Sequence, residues 1–275
     1  MGLSFCSFSS GSSGNCYLVK SESAAVLVDA GISARKILKE LDRTDTPHES
    51  VKALFLTHEH HDHVKGARVL LKRLAGADVY ASGGTMEGAI RRDAGKKLSF
   101  AKEIAERRRV AIGPDCPVKI GDLTVRAFRT LHDAAEPYGY SIASGEKRIA
   151  ILADTGMVTE EMLHAVADAD VLVLEANHDT EILRHGHYPH FLKQRILSEH
   201  GHLSNAQAAD ALLRLFSLTE KKRVVLLAHL SHENNTPVIA ERTVLTALAR
   251  EGRYTGSDLY MGVLLREEAS LLYRL

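Results

Sequence analysis

The sequence lacks net charge: 35 Lys and Arg residues are matched by 35 Asp and Glu over 275 residues. A global positive field of the kind that draws nucleic acid to a protein is therefore excluded, and any such binding has to come from a local basic patch. Cysteine is scarce as well. Cys6, Cys16 and Cys116 are odd in number, scattered and without a CxxC pair, which excludes a disulfide framework and suits a reducing cytoplasm. No apolar run approaches the roughly eighteen residues that would mark a membrane span. The first residues show no basic stretch followed by an apolar one, so no secretory signal is expected. Met1-Gly2 opens like a myristoylation signal, but Cys6 stands where that signal wants Ser or Thr. These absences predict a soluble cytoplasmic protein with no membrane partner. What is present, 45% hydrophobic and 25% charged residues, is ordinary globular composition. It suffices for a single domain over residues 1–275.

Hydrophobic periodicity and turn residues divide the chain. Ser9-Ser10-Gly11-Ser12-Ser13-Gly14-Asn15 reads as a turn, followed by strands over 16–19 and 24–28 and a helix over 33–41. A strand over 51–57 comes next, then a helix with Val64, Ala67, Leu71 and Leu74 on one face, ended by Gly76. Gly121-Asp122 and the tetrapeptide Ser144–Lys147 mark two hairpins, joining 118–120 to 123–128 and 138–143 to 148–152. The continuous apolar runs Val171–Leu174 and Val224–Ala228 are expected to be strands buried on both faces. Helices follow over 204–216 and 236–250. The class is α/β (α+β), with two sheets and helices outside.

The run Ala53–Thr57 leads directly into His58-Glu59-His60-His61-Asp62-His63. On a strand, His58 and His60 would point to one face, with Asp62 and His63 in the following turn. Four imidazoles packed this closely would repel one another when protonated. Imidazole and carboxylate donors together suit a borderline divalent metal, Zn²⁺ or Mn²⁺. Two sub-clusters suggest two ions. His61, on the opposite face, is expected to bind nothing. Further ligands are sought at other strand ends: Asp29 closes 26–28, His132 follows Phe128–Leu131, Asp154 follows Ile149–Ala153, and His229 follows Val224–Ala228. A polar residue capping an apolar run is where a sheet presents chemistry at its edge.

Asp29, His58-x-His60-x-Asp62-His63, His132, Asp154 and His229 resemble the ordered motifs of the metallo-β-lactamase fold. Ser10–Asn15, His132–Pro137, Asp154-Thr155-Gly156, Glu175–Asp179, Gly201–Asn205 and His229–Asn235 resemble, more narrowly, the YycJ/WalJ/VicX group of bacterial hydrolases. The resemblance implies an αββα sandwich of two mixed sheets. It assigns His58, His60 and His132 to one metal and Asp62, His63 and His229 to the other. Asp154 bridges the two, and Asp29 accepts hydrogen bonds that orient the imidazoles.

Two cations about 3.5–4 Å apart would turn a bridging water into hydroxide near neutral pH. Similarity to RNase Z-like phosphodiesterases adds His202, paired with Glu175, as proton donor to the leaving group. A carboxylate beside an imidazole holds its tautomer and favours the charged ring. Asp62, His202 and Glu175 are thus the expected catalytic residues. Arg184, His187, Lys193, Arg195 and Asn205 are candidate substrate contacts in a segment dense in cationic and imidazole side chains. A second basic group, Arg91, Arg92, Lys96, Lys97, Lys102 and Arg107–Arg109, is interspersed with Asp93, Glu103 and Glu106 and reads as a solvated face.

The group resemblance implies a metal-dependent nuclease, acting 5′→3′ as an exonuclease on DNA. The spacing from Asp154 to Glu175 leaves no room for the large β-CASP insertion of RNase J-like enzymes. A β-lactamase would be expected to use a cysteine ligand and a secretion signal. A glyoxalase-II-like thioesterase on the same metals is the alternative, and a non-catalytic metal-binding regulatory protein a third.

Overall fold

A computed structural model of the chain describes residues 2–74, 76–92, 109–114 and 116–275. Two seven-stranded sheets carry the fold. The first takes β1 (Ser4–Ser9), β2 (Cys16–Lys20), β3 (Ala25–Val28), β4 (Val51–Phe55), β5 (Asp78–Ala81), β6 (Arg109–Ala111) and β14 (Tyr273–Arg274), in the order β14-β1-β2-β3-β4-β5-β6. The second takes β7 (Val118–Ile120), β8 (Leu123–Arg129), β9 (Tyr138–Ser144), β10 (Lys147–Leu152), β11 (Val171–Glu175), β12 (Arg223–Ala228) and β13 (Leu259–Val263), in the order β13-β12-β11-β10-β9-β8-β7. Both are mixed. β3 to β6 pair in parallel, as do β10 to β13, while the remaining neighbours are antiparallel.

Period-two alternation sorts each strand between two cores. Val26, Val28, Ala53 and Phe55 face Ile149, Ile151, Val171 and Val173 of the opposite sheet in the central layer. Leu27, Leu54 and Val79 turn outward against α1 (Ala34–Arg43) and α3 (Ala67–Arg73). Ala150, Leu172 and Leu174 turn outward against α5 (Glu160–Val166), α8 (Asn205–Leu218) and α9 (Pro237–Arg250). This is the αββα sandwich of the metallo-β-lactamase fold. Among the described residues no helix is long and apolar enough to cross a membrane. Residues 155–174, after Asp154, are spanned by α5 and β11.

Two local expectations are corrected. The strand entering the histidine cluster ends at Phe55, so His58 sits in a loop and not on a strand end. The helix expected over 64–74 is two pieces, α2 (His61–Val64) and α3. Gly66 separates them because its N–H is drawn to the Ala30 carbonyl, and a Cβ there would lie 1.9 Å from the Ile32 oxygen. Of the second basic group, residues 93–108 lie outside the described residues.

Candidate metal centre

The expected ligands converge from both sheets onto one edge. β4 delivers the loop carrying His58 and His60, and α2 opens with His61, Asp62 and His63. His132 lies three residues beyond β8, Asp154 two beyond β10, and His229 immediately after β12. This edge is the carboxyl end of the parallel strands, where open α/β sheets place their chemistry. Asp29, Asp154 and His229 adopt φ of 61°, 54° and 56°. Among the described residues only Asp45 joins them as a non-glycine residue with positive φ. Such conformations cost free energy and cluster where a side chain must be aimed against the backbone's preference.

Four imidazoles are held in one tautomer by partners for Nδ1. His63 Nδ1 donates to Asp29 Oδ2 at 2.7 Å, and His132 Nδ1 to the Gly201 carbonyl at 2.9 Å. His229 Nδ1 donates to Glu175 Oε1 at 2.9 Å. His58 Nδ1 donates to Thr57 Oγ1 at 3.0 Å, and that hydroxyl donates onward to Asp29 Oδ2 at 2.9 Å. In each ring this leaves Nε2 as the nitrogen aimed at the cluster. Asp29 thus orients two of the rings, one directly and one through Thr57.

The donors gather in overlapping groups. Ligand atoms of His58, His60 and His132 lie within 4.8 Å of one another, and so do those of Asp62, His63 and His229, of His58, His63 and Asp154, and of Asp154, Glu175, His202 and His229. His60 Nδ1 and His132 Nε2 approach to 3.3 Å. Asp62 Oδ2 is 3.5 Å from His63 Nε2 and 3.6 Å from His229 Nε2. Asp154 lies between the groups, its Oδ2 3.2 Å from His63 Nε2. Although fully buried, His58 Nε2, His229 Nε2 and Asp154 Oδ2 make no hydrogen bond within the protein. Buried polar atoms without partners are costly unless something else satisfies them. A donor set of nitrogen and oxygen without thiolate fits divalent cations of the Zn²⁺ or Mn²⁺ kind. The residues present fit a metal centre.

Titration follows the surroundings. Burial pushes His58 well below the ordinary imidazole range and His132 down to about 4. Burial acts the same way on His229, but Asp154, Asp62 and Glu175 outweigh it and bring the ring up to about 10. Around His63, Asp29, Asp62 and Asp154 likewise overcome burial and raise it. The Asn15 amide nitrogen lies 3.0 Å from His63 Nε2. Burial would raise Asp62 and Asp154, yet the adjacent imidazoles hold both well below the carboxylate range.

His202 and Glu175 meet beside this cluster. Glu175 Oε1 accepts from His202 Nδ1 at 2.7 Å as well as from His229, and Oε2 accepts from the Thr155 N–H at 2.9 Å. Against burial, these imidazoles keep the carboxyl at about 2. His202 Nδ1 is also 3.5 Å from Asp154 Oδ1, and its ring centroid is 4.9 Å from that of His132 and 5.1 Å from that of His229. Its side chain remains 16% exposed, within reach of a ligand.

The candidate substrate contacts separate. Arg195 lies at the rim, its NH2 donating to Asp133 Oδ1 at 3.0 Å, and that oxygen is 3.3 Å from His132 Nε2. Lys193 Nζ donates to the Arg184 and Gly186 carbonyls, while Arg184 is exposed beside Glu181 and His187 is exposed. Asn205 is elsewhere: it is 1% exposed and its amide is paired reciprocally with that of Asn235, so it braces loops instead of meeting substrate. His61 is exposed at the start of α2. Sequence reasoning passed over Asn15, Thr57, Asp133 and Asn177, whose amide donates to the His229 carbonyl at 2.9 Å. No spacing rule marks them, because each also bonds a residue distant in the chain: Asn15 meets His63, Thr57 meets Asp29, Asp133 meets Arg195 and Asn177 meets His229.

A metal-binding set of imidazole and carboxylate donors at the carboxyl edge of an αββα sandwich defines the class of metal-dependent hydrolases. A family model described as the β-lactamase superfamily domain matches residues 24–230. The chain belongs to that superfamily and, within it, to the family of WalJ and YycJ. It is 38% identical over 261 residues to exodeoxyribonuclease WalJ of Streptococcus pneumoniae, covering 94% of this chain and 93% of that one. It is 36% identical over 253 residues to exodeoxyribonuclease YycJ of Bacillus anthracis, covering 92% and 91%. Among solved structures, the metallo-β-lactamase fold protein YhfI of Bacillus subtilis superposes with a TM-score of 0.71 at 19% identity, covering 100% and 99% of the two chains.

Proposed function

We propose that this protein is an exodeoxyribonuclease that degrades DNA in the 5′→3′ direction with two divalent cations, Zn²⁺ or Mn²⁺. His58, His60 and His132 would hold one ion and Asp62, His63 and His229 the other, with Asp154 shared between them. Bound there, the ions would polarise a phosphoryl oxygen and bring the pKa of a water toward neutrality. The single observation that carries a phosphodiesterase reading is the His202–Glu175 pair: an imidazole that is not one of the ligands named above, 2.7 Å from a buried carboxylate and beside the cluster. Glu175 fixes the proton on Nδ1. His202 Nε2 is then the atom that protonates the leaving oxygen. Asp62 Oδ2, 3.5 Å from His63 Nε2 and 3.6 Å from His229 Nε2, would complete their donor group. Two exodeoxyribonuclease relatives spanning nearly the whole chain support DNA as the polymer.

The test uses DNA and RNA labelled at the 5′ or the 3′ end, incubated with the protein or its Asp154→Ala variant and Mn²⁺ or Zn²⁺. A thioester and a lactam are run in parallel. Release of short products from 5′-labelled DNA by the parent alone is the expected result. Intact nucleic acids with a cleaved thioester would instead favour the glyoxalase-II-like alternative.

A further inference from the structure

Of the phenylalanines in the described residues, Phe5, Phe8, Phe55, Phe128 and Phe216 are at most 5% exposed, whereas Phe191 is 72% exposed. A single exposed apolar side chain is ordinary on a protein surface, so its place decides its meaning. Phe191 lies on a helix, α7 (His190–Leu197), that follows α6 (Thr180–His185) and reaches the metal donors through Arg195. Residues four apart share a helix face, about 6 Å apart along the axis. Phe191 therefore shares its face with Arg195, one turn away. Arg195 is bonded to Asp133, whose Oδ1 is 3.3 Å from His132 Nε2. One helix face thus runs from the metal donors through a guanidinium to an uncovered aromatic ring.

The helix is pinned where it stands. The His202 N–H donates to the Ile196 carbonyl at 3.0 Å. The backbone of Ser198 and Glu199 lies so close to Gly156 that a Cβ there would meet it at 2.4 Å. Lys193, on the same helix, is fixed by the Arg184 and Gly186 carbonyls at 2.8 and 2.7 Å, which place its charge without cancelling it. Lys193, two residues from Phe191, stands on another face of the helix, so the cation on the ring's own face is Arg195. A cation for phosphate near a π face for a base is how proteins hold single strands without reading sequence.

We propose that Phe191 is a stacking platform for a nucleobase of the DNA strand entering the metal centre, and so helps to set the preference for polynucleotide over small phosphodiesters. The inference rests on the exonuclease reading, and its test separates the two. Anisotropy is measured for a fluorescent single-stranded oligodeoxynucleotide and for a base-free strand of the same backbone charge, with the parent, Phe191→Ala, Phe191→Leu and Phe191→Tyr. Degradation of the normal strand is followed in parallel, and circular dichroism confirms that the variants fold.

Phe191→Ala is expected to weaken binding of the normal strand about tenfold. Phe191→Leu should weaken it similarly, Phe191→Tyr should restore it, and all four proteins should bind the base-free strand alike. Equal losses on both strands, or rescue by Leu, would overturn the platform. Binding that follows this pattern without degradation by any protein would leave the platform standing and sink the exonuclease reading. Degradation by the parent with Phe191→Ala binding normally would do the reverse.

Discussion

Glu175 serves two imidazoles through one oxygen, and the two have different tasks. Removing the His202 ring takes away only the proposed proton donor. His202→Ala should therefore keep its metals, counted by elemental analysis, and lose about 10²–10⁴-fold in DNA turnover. Near-normal turnover would sink the role. Glu175→Gln should lower metal content as well, because it also unfixes His229 Nδ1. A second prediction concerns protons. Asp154, Asp62 and Glu175 bring His229 up to about 10, so without metal the ring is protonated at pH 7. Its Nε2 can coordinate only after losing that proton, so metal affinity should rise with pH across 6–8. Calorimetry of Mn²⁺ binding in buffers of different ionisation enthalpy should report proton release. An enthalpy independent of the buffer would refute it. The candidate ligands could be read from the chain because each caps or follows an apolar run. Thr57 and Asn15 could not, since their partners come from segments that meet only after folding.

At the scale of elements, the site is three loops tied by backbone. Asn15 N donates to the Asp62 carbonyl at 2.8 Å, Gly31 N to the Asn15 carbonyl at 2.7 Å, and Ala30 N to the His63 carbonyl at 2.8 Å. Gly31 stands at the closest approach, where a Cβ would fall 1.5 Å from the Asp62 oxygen and 2.6 Å from the Asn15 nitrogen. Backbone cannot give way as a flexible side chain can. Gly31→Ala should cost at least about 2 kcal/mol in urea unfolding of the metal-free protein and also weaken metal binding. Gly113, with nothing within 4 Å of its Cβ position, should accept Ala within about 0.5 kcal/mol. A Gly31→Ala variant as stable as the Gly113→Ala control would show that the loops adjust. Turn residues and periodicity revealed both hairpins and the main helices. They did not reveal the break between α2 and α3, which is set by the Ala30 carbonyl capturing the Gly66 N–H across the fold.

At the scale of the whole molecule, the two donor groups each draw on both sheets. His58, His60, Asp62 and His63 follow the first sheet's β4, while His132, Asp154 and His229 follow strands of the second. The two-sheet sandwich could be anticipated from the order of strands and helices. The strand order could not, because pairing between β14 and β1 joins the two ends of the chain. Bound ions would clamp the sheets at one edge, so the folded state should gain stability by mass action. At a free concentration of about a hundred times Kd the gain is about 2.7 kcal/mol. For a chain of this size that corresponds to a rise in Tm of about 5–10 °C. Mn²⁺ added to chelator-treated protein should produce such a shift, and chelator should reverse it. His202→Ala, outside the proposed donor groups, should retain the shift. Asp154→Ala, which removes the carboxylate between the two groups, should lose most of it. An equal shift in Asp154→Ala would mean that the ions stabilise the protein elsewhere, and the clamp between the sheets would have to be abandoned.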